Sequence, residues 1–264
     1  MEGEFKFPKL NVEKAVDEIC NFIKSKLDES KANGLVIGLS GGLDSSTVAY
    51  LCARIIESDR ILGLVLPSET TAPEDIEDAV MVADSLGIKY KNLNIDHLVE
   101  HFPKLCPECS KSALANGNLK ARARMMLLYY HSNSMNRLVM GTGNKTELLV
   151  GYFTKYGDGG VDILPIGDLY KTHVKEIAAY VDVPKNIIEK APTAGLWTGQ
   201  TDEEELGIKY ELLDKILYLM ADENLNIPEI AERLKIEEDE VLRIKKMVES
   251  SKHKLSSPSI IEIK

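Results

Sequence analysis

Apolar residues along the chain alternate between helical spacing and short continuous runs. Residues 10–27 place apolar side chains three or four positions apart, which predicts a helix with one buried face. Residues 35–39 and 61–66 are instead almost entirely apolar, as in strands covered on both faces of a parallel sheet. The alternation continues, with further helices predicted at 44–57, 73–86, 118–133 and 171–181 and further strands at 89–95 and 137–142. We therefore expect an α/β fold with a doubly wound parallel sheet and right-handed crossovers.

The last third of the chain has a different pattern. Residues 205–223 and 227–250 are amphipathic and predict two long helices, whereas the residues beyond 250 predict a short irregular tail. We expect a single catalytic domain over residues 1–264, with a helical part at about 205–250 and the tail at 251–264.

Charge and hydropathy limit the classes of partner. The chain has 32 Lys and Arg residues against 42 Asp and Glu residues, a net charge of -10, which opposes loose binding to nucleic acid or anionic lipid. Its N-terminus lacks the apolar core of a secretion signal, and no stretch reaches the roughly 18 apolar residues of a membrane span. We therefore expect a cytoplasmic protein with no nucleic-acid or membrane partner.

Four cysteines are too few for a disulfide framework in a chain of this length. Cys20 and Cys52 fall on apolar helix faces and are expected in the core. Cys106 and Cys109 form a CPEC pair near His101, which predicts unpaired thiols in a surface loop, with a metal site as the alternative.

The first predicted strand runs into the sequence SGGLDSS at residues 40–46, and a helix follows. Two glycines let the backbone turn sharply and approach a ligand, and the N–H groups of the next helix attract anions. Ligands of open α/β sheets bind at the carboxyl ends of the strands, where this segment lies. The segment therefore predicts a phosphate site, although a Gly-Gly turn before Asp44 and Ser45 could also serve only as a helix cap.

This glycine loop matches neither the GxxxxGK[ST] phosphate loop nor the GxGxxG dinucleotide fingerprint. It resembles the SGGxDS loop of the N-type ATP pyrophosphatases. The resemblance implies cleavage of ATP between its α and β phosphates, with transfer of AMP to a carbonyl or carboxyl oxygen.

Further segments resemble the NAD synthetases and extend the match from about residue 35 to residue 258. They are GNLKARARM at 117–125, GTGNKTE at 141–147, GYFTKYGDGGVD at 151–162, PTAGL at 192–196, QTDE at 200–203, ELG at 205–207 and HK at 253–254. Leu255 follows the HK pair where the family often has an arginine, so one phosphate contact is expected to be missing.

The resemblance implies specific site residues. Asp44 and Glu147 would bind Mg²⁺, and Lys171 and Asp158 would be catalytic, with Asp158 docking and deprotonating ammonium. The residues implied to bind ATP are Gly38, Leu39, Ser40, Gly41, Gly42, Leu43, Asp44, Ser45, Ser46, Thr142, Lys171 and Thr193. Those implied to bind deamido-NAD are Asn118, Arg122, Lys155, Asp162, His253 and Lys254.

The family's reaction is the amidation of deamido-NAD by ammonia, with ATP as co-substrate and Mg²⁺ as cofactor. No glutaminase module is evident, so ammonia is expected from solution or from a separate protein. The segment 156–162, which holds three glycines, is expected to close only around a ligand. The family also implies a homodimer, and the apolar run at 125–130 fits an interface, although the centre of a monomer would explain it as well.

Two other interpretations compete with a NAD synthetase. Another N-type ATP pyrophosphatase, such as a GMP synthetase or a tRNA-thiolating enzyme, would share the glycine loop but needs different later motifs. A nucleotide-binding module without catalysis would need the glycine loop but not Glu147 and Lys171 together with the segment at 154–162.

Overall fold

The computed structural model describes residues 5–193, 195 and 201–263. Its sheet has four parallel strands in the order β3-β2-β1-β4. The strands are β1 (Leu35–Gly38), β2 (Ile61–Val65), β3 (Lys89–Asn92) and β4 (Leu138–Met140). Register pairs Leu35 with Ile61 on one side and with Leu138 on the other, so β1 is central.

Helices connect and cover these strands. Within the described residues they are α1 (Val12–Ser30), α2 (Leu43–Ala53), α3 (Pro73–Ser85), α4 (Asp96–Val99), α5 (Phe102–Leu105), α6 (Ala113–Met135), α7 (Lys145–Val150), α8 (Lys171–Tyr180), α9 (Lys185–Glu189), α10 (Asp202–Leu206), α11 (Tyr210–Ala221), α12 (Ile227–Leu234) and α13 (Glu238–Leu255). Helices α1, α2 and α8 contact one another, while α6 contacts β1 and β4. The α/β fold with a parallel sheet between helices is confirmed.

The strand order places the site. The chain leaves β1 toward β2 and β3 on one side and later returns to β4 on the other, so the carboxyl ends of β1 and β4 flank a topological switch point. Ligands of open α/β sheets bind at such a point because the two connecting segments diverge there and leave a crevice. The glycine loop follows β1, and Thr142 follows β4.

Most predicted elements lie where the pattern placed them, but several bounds differ. Helix α2 ends at Ala53 rather than at residue 57, and β3 ends at Asn92 rather than at 95. Helix α6 begins at Ala113, five residues before the predicted start, because Ser112 caps it by accepting a hydrogen bond from the Ala115 N–H.

The two long helices predicted in the last third are wrong, because each is interrupted. Gly207 adopts a left-handed conformation with φ +67°, which ends α10 and separates it from α11. Lys235, at φ 56°, ends α12 in the same way. The tail is also more regular than expected, since α13 continues to Leu255 and includes His253 and Lys254 in its last turn.

The cysteines divide into two classes. Cys20 and Cys52 are free and buried, as expected. Cys106 and Cys109, expected as unpaired thiols, form a disulfide instead. The turn between them brings their Cα atoms to 5.4 Å, within bonding reach, and bonded sulfurs offer no thiolate to a metal. No helix of the described residues is both long enough and apolar enough to cross a membrane.

Candidate active site

The glycine loop, residues 40–46, packs tightly against α3. Gly41 has φ +74°, and a Cβ at this position would lie 2.1 Å from the Asp75 carbonyl oxygen. Only glycine fits both the conformation and the space. Gly42 then caps α2 with extended backbone, so the N–H groups of the first turn of α2 face the end of the sheet.

Hydroxyl groups line the inside of this loop. Ser40 Oγ and Ser45 Oγ lie 2.9 Å apart, and the Gly42 N–H donates to Ser40 Oγ at 3.2 Å. Ser46 Oγ donates to the Gly42 carbonyl at 2.8 Å. The loop therefore gathers several donors around a turn, which is the arrangement that phosphate oxygens require.

A buried lysine joins the loop to two carboxylates. Lys171, at the start of α8, is 3% exposed. Its Nζ donates to Asp44 Oδ2 on α2 and lies 3.4 Å from Glu147 Oε1 on α7. Asn144 supports the same pair, because its Nδ2 donates to Asp44 Oδ1 at 3.1 Å and its backbone N–H donates to Glu147 Oε2 at 3.3 Å. Three of the predicted site residues thus meet at one point.

Burial controls the electrostatics of this cluster. It raises the pKa of the Glu147 carboxyl to about 8, and Asp44 and Asp202 add to the rise although the Lys171 ammonium opposes it. Burial acts to lower the pKa of Lys171, but Asp44 and Glu147 raise it further than burial lowers it. The lysine is therefore a permanent cation at neutral pH, whereas Glu147 can take up a proton.

Two residues near the lysine had no role assigned to them from the sequence. The Tyr210 ring centre lies 5.1 Å from Lys171 Nζ, and the Tyr210 hydroxyl donates to Asp202 Oδ2 at 3.1 Å. Asp202 is buried and also accepts from the Tyr152 hydroxyl at 3.1 Å. Asp202 belongs to the QTDE segment, but nothing in the sequence alone connects it with Lys171.

Several residues expected to bind deamido-NAD form a second cluster. Asn118 and Arg122 lie one turn apart on α6. Thr154 Oγ1 donates to Asn118 Oδ1 at 2.7 Å, and Arg122 Nη2 donates to the Lys155 carbonyl at 3.3 Å. Helix α6 and the segment after α7 are thus held together partly by Asn118, Arg122 and Lys155, which the resemblance assigns to deamido-NAD.

The end of α13 lies against the same segment. Lys155 Nζ donates to the carbonyl of His253 at 2.5 Å and to that of Ser256 at 3.3 Å. Lys254 Nζ donates to the carbonyls of Gly151 and Phe153, at 2.7 and 2.9 Å. Of the six residues expected at the dinucleotide site, four therefore contact the segment at 151–162, namely Asn118, Arg122, His253 and Lys254. The other two, Lys155 and Asp162, belong to that segment.

The loop at residues 156–162 is held by its own backbone, since Gly157 and Gly159 donate to the Thr154 carbonyl at 2.9 and 3.2 Å. Its closure around a ligand stays a prediction. Asp158 Oδ1 accepts from the Thr154 N–H at 2.9 Å. Gly157 has no room for a side chain, because a Cβ there would lie 2.9 Å from the Thr154 side chain.

Two further predicted residues, Asp162 and Thr193, accept hydrogen bonds from the chain's own backbone. Asp162 Oδ2 accepts from the Val139 N–H at 2.8 Å and its Oδ1 from the Tyr129 hydroxyl at 3.0 Å, so its carboxylate fastens the loop to β4. Thr193 is exposed and accepts a hydrogen bond from the Gly195 N–H at 3.1 Å. Three other positions of the matched segments, Ala194, Leu196 and Gln200, lie outside the described residues.

Comparison with known proteins decides the family. Residues 15–258 match the sequence model of the family described as NAD synthase. The NH(3)-dependent NAD(+) synthetase of Archaeoglobus fulgidus is 53% identical over 97% of this chain and 99% of its own length. The chain belongs to the NAD synthase family.

Solved structures of NAD synthase relatives have the same fold. The NMN synthetase of Francisella tularensis has a TM-score of 0.86 at 34% identity, and the match covers 97% of this chain and 100% of that relative. The NH3-dependent NAD synthetase of Campylobacter jejuni, solved with nitrate, has a TM-score of 0.82 at 31% identity over 96% of this chain and 100% of its own.

The carboxylates of this NAD synthase family member fit a small hard cation. Oxygens of Asp44 and Glu147 already converge on one positive charge, Lys171 Nζ. Mg²⁺ prefers oxygen ligands and is usually bound by one or two carboxylates together with phosphate oxygens. The donor set therefore suits Mg²⁺ beside a phosphate site.

Proposed function

We propose that this chain is a ligase that converts deamido-NAD to NAD with ammonia and ATP, releasing AMP and pyrophosphate through an acyl-adenylate. One observation carries the proposal: the glycine loop, Asp44, Glu147 and Lys171 converge at the carboxyl end of the sheet. The high identity to the Archaeoglobus fulgidus enzyme over nearly all of both chains supports the choice of substrates. Because the reaction consumes ATP, we also propose a cytoplasmic location.

The acyl-adenylate follows from the chemistry of the substrate. A carboxylate is a poor electrophile, so ammonia does not displace its oxygen at neutral pH without activation. In the proposed first step, a nicotinate oxygen attacks the α-phosphorus and pyrophosphate leaves. Ammonia then attacks the acyl carbon and AMP leaves, which places the carboxylate oxygen in AMP.

The residues of the glycine loop are proposed to hold the phosphates. The Gly42 N–H, the first turn of α2 and the hydroxyls of Ser40, Ser45 and Ser46 supply donors that charged oxygens would accept. Asp44 and Glu147 are proposed to hold Mg²⁺. When bound, Mg²⁺ neutralises phosphate charge and polarises the bond that breaks.

Lys171 is proposed to stabilise the charge that grows on pyrophosphate. Its pairing with Asp44 places a permanent cation at the base of the loop, and Tyr210 packs beneath its ammonium. A cation that is fixed in a site with little water stabilises transition-state charge more strongly than the ammonium of a mobile surface lysine does. Asp202 is proposed to hold Tyr210 in place through the hydrogen bond at 3.1 Å.

Asp158 is the proposed docking and deprotonation site for ammonium. Its Oδ1 accepts the Thr154 N–H, which fixes the side chain beside the segment that also contacts Asn118 and Arg122. Burial raises the pKa of this carboxyl, although hydrogen bonds from Thr154 and the Lys254 charge oppose the rise, and a raised pKa favours proton uptake from ammonium. Asn118, Arg122, Lys155, Asp162, His253 and Lys254 are the proposed dinucleotide site, and Thr142 and Thr193 are proposed ATP contacts.

A homodimer is proposed through α6. Met126 and Tyr130 on this helix are 49% and 74% exposed. Leu128 instead packs toward β1, since a Cβ added to Gly38 would lie 3.7 Å from Leu128 Cδ1. The apolar run is thus neither wholly central nor wholly exposed. One of its faces covers the sheet, and the other is available to a second copy of the chain.

A second candidate substrate is the mononucleotide, because a structure of the same fold at 34% identity carries the name NMN synthetase. Purified protein incubated with ATP, Mg²⁺ and ammonium chloride, and with either deamido-NAD or nicotinate mononucleotide, distinguishes the two. The proposal expects NAD, AMP and pyrophosphate in equal amounts with deamido-NAD. Preferential turnover of the mononucleotide would replace the substrate assignment, and no pyrophosphate with either would refute the reaction.

A further inference from the structure

Lys190 links the glycine loop to two neighbouring carboxylates. Its Nζ donates to the Gly41 carbonyl at 3.3 Å, to Asp75 Oδ1 at 3.0 Å and to Asp78 Oδ2. Both aspartates belong to α3, and Lys190 itself follows α9 directly. One side chain therefore ties together the loop, α3 and the segment that leads to Thr193.

All the donors of this lysine are used within the protein. An ammonium group has three N–H bonds, and the three acceptors around Lys190 account for them. Partial burial acts to lower the pKa of Lys190, but the hydrogen bonds to Asp78 and Asp75 raise it overall, so the group stays charged. Lys190 thus acts on the loop and not on a ligand.

The contact with Gly41 has a directional consequence. A trans peptide is planar, so its C=O and the next N–H point in opposite directions. The Gly41 carbonyl points to Lys190, and the Gly42 N–H therefore points to the inside of the loop, where Ser40 Oγ accepts it at 3.2 Å. Rotation of this peptide would turn an oxygen, instead of an N–H, toward the phosphates.

We propose that Lys190 is a positioning residue for ATP, which holds the Gly41–Gly42 peptide so that the Gly42 N–H faces the triphosphate. The proposal rests on the assignment of the glycine loop as the phosphate site. Asp75 and Asp78 keep the ammonium in place, and Asp78 is itself fixed by Asn186 Nδ2 at 2.9 Å. The packing of Gly41 against the Asp75 carbonyl leaves the loop little other freedom to compensate.

The test compares Lys190→Met and Lys190→Arg with Lys145→Met. Lys145 is a matched control because two aspartates also hold it, Asp168 at 3.1 Å and Asp222 at 2.8 Å, but it does not contact the glycine loop. Dissociation constants for ATP and for deamido-NAD are measured by calorimetry, and cooperative thermal unfolding is recorded for each protein.

The proposal expects Lys190→Met to weaken ATP binding by roughly tenfold or more, the loss typical of a charge-assisted hydrogen bond, with deamido-NAD binding unchanged. Lys190→Arg should recover most of the ATP affinity, and Lys145→Met should keep it. Unchanged ATP affinity in Lys190→Met would overturn the proposal. An equal loss of affinity for ATP and for deamido-NAD would overturn it as well. If Lys190→Met does not fold, Lys190→Gln takes its place, and failure of both to fold would assign the lysine to stability alone.

Gly42→Ala separates this proposal from the assignment of the loop. Its added methyl lies 3.3 Å from Ser40 Oγ, inside the loop, and does not touch Lys190. If the loop binds phosphate, this variant loses ATP affinity whatever Lys190 does. An unaffected Gly42→Ala would refute the loop assignment itself, whereas a weakened Gly42→Ala beside an unaffected Lys190→Met would refute only the role of the lysine.

Discussion

Lys171 Nζ lies 3.4 Å from Glu147 Oε1 and also donates to Asp44 Oδ2, so one buried ammonium joins carboxylates from two helices. This pairing satisfies charges that would otherwise be costly to bury. The same contacts hold the Lys171 ammonium next to the glycine loop. A triphosphate bound at the glycine loop would offer this lysine further anionic partners.

Lys171→Met should lower kcat for pyrophosphate release on the order of 100-fold, because it removes one fixed charge from the transition state. Lys145→Met is the control, since the Lys145 ammonium is also paired with two aspartates, but these are Asp168 and Asp222 rather than site carboxylates. Steady-state kinetics with varied ATP measures the effect on folded protein, which is checked by thermal unfolding. An unchanged kcat with a raised KM for ATP would mean that Lys171 contributes only uniform binding.

The proposed activation of the enzyme by Mg²⁺ should depend on pH through Glu147. Because burial raises the pKa of this carboxyl to about 8, it carries a proton below that pH, and Mg²⁺ must displace the proton to bind. The Mg²⁺ concentration for half-maximal rate should therefore rise as the pH falls, by about tenfold per unit below this pKa. Rates at saturating ATP with free Mg²⁺ varied at each pH measure it, and a constant value across the range would contradict the assignment of Glu147 to the metal.

Asp158→Asn should separate the two half-reactions. The amide can still accept the Thr154 N–H, so the loop should keep its shape, but it cannot take a proton from ammonium. Exchange of labelled pyrophosphate into ATP, which reports adenylation, should persist while NAD formation falls roughly 100-fold. Asp168→Asn, at an exposed carboxylate, is the control. Equal loss of exchange and NAD formation would show that Asp158 is not specific to the ammonia step.

Tyr130→Glu should yield monomers with weakened deamido-NAD binding and intact ATP binding, because it places a charge on the exposed face of α6. Tyr180→Glu on α8 removes an exposed tyrosine from another surface and serves as the control. Analytical ultracentrifugation gives the oligomeric state. A wild-type protein that is fully active as a monomer at micromolar concentration would refute the shared interface.

Local patterns were enough to predict the sheet and the glycine loop. Continuous apolar runs identify buried parallel strands because both faces are covered, and the order of helices and strands then leaves few topologies. Gly41 and Gly42 after β1 mark the turn at its carboxyl end. The burial of Leu35 and Ile37 and the φ of Gly41 agree with that interpretation.

Contacts between segments that are far apart in the sequence could not be predicted from local patterns. The Lys171 ion pairs join positions 127 and 24 residues apart, and the Lys190 bond to Gly41 spans 149. The break at Lys235 also escaped prediction, because a lysine in a left-handed conformation carries no sequence signal comparable to glycine. The capping box of Asn144 and Glu147, by contrast, has a readable pattern that would have predicted the start of α7.

Transfer of labelled oxygen tests the central claim most directly. Deamido-NAD carrying ¹⁸O in its nicotinate carboxylate is incubated with the protein, ATP, Mg²⁺ and ammonium, and the products are analysed by mass spectrometry. Because the proposed acyl-adenylate passes one carboxylate oxygen to the α-phosphorus, one ¹⁸O should appear in each AMP formed with NAD, and none in pyrophosphate. NAD formation with unlabelled AMP, or with label in pyrophosphate, would contradict the adenylation mechanism.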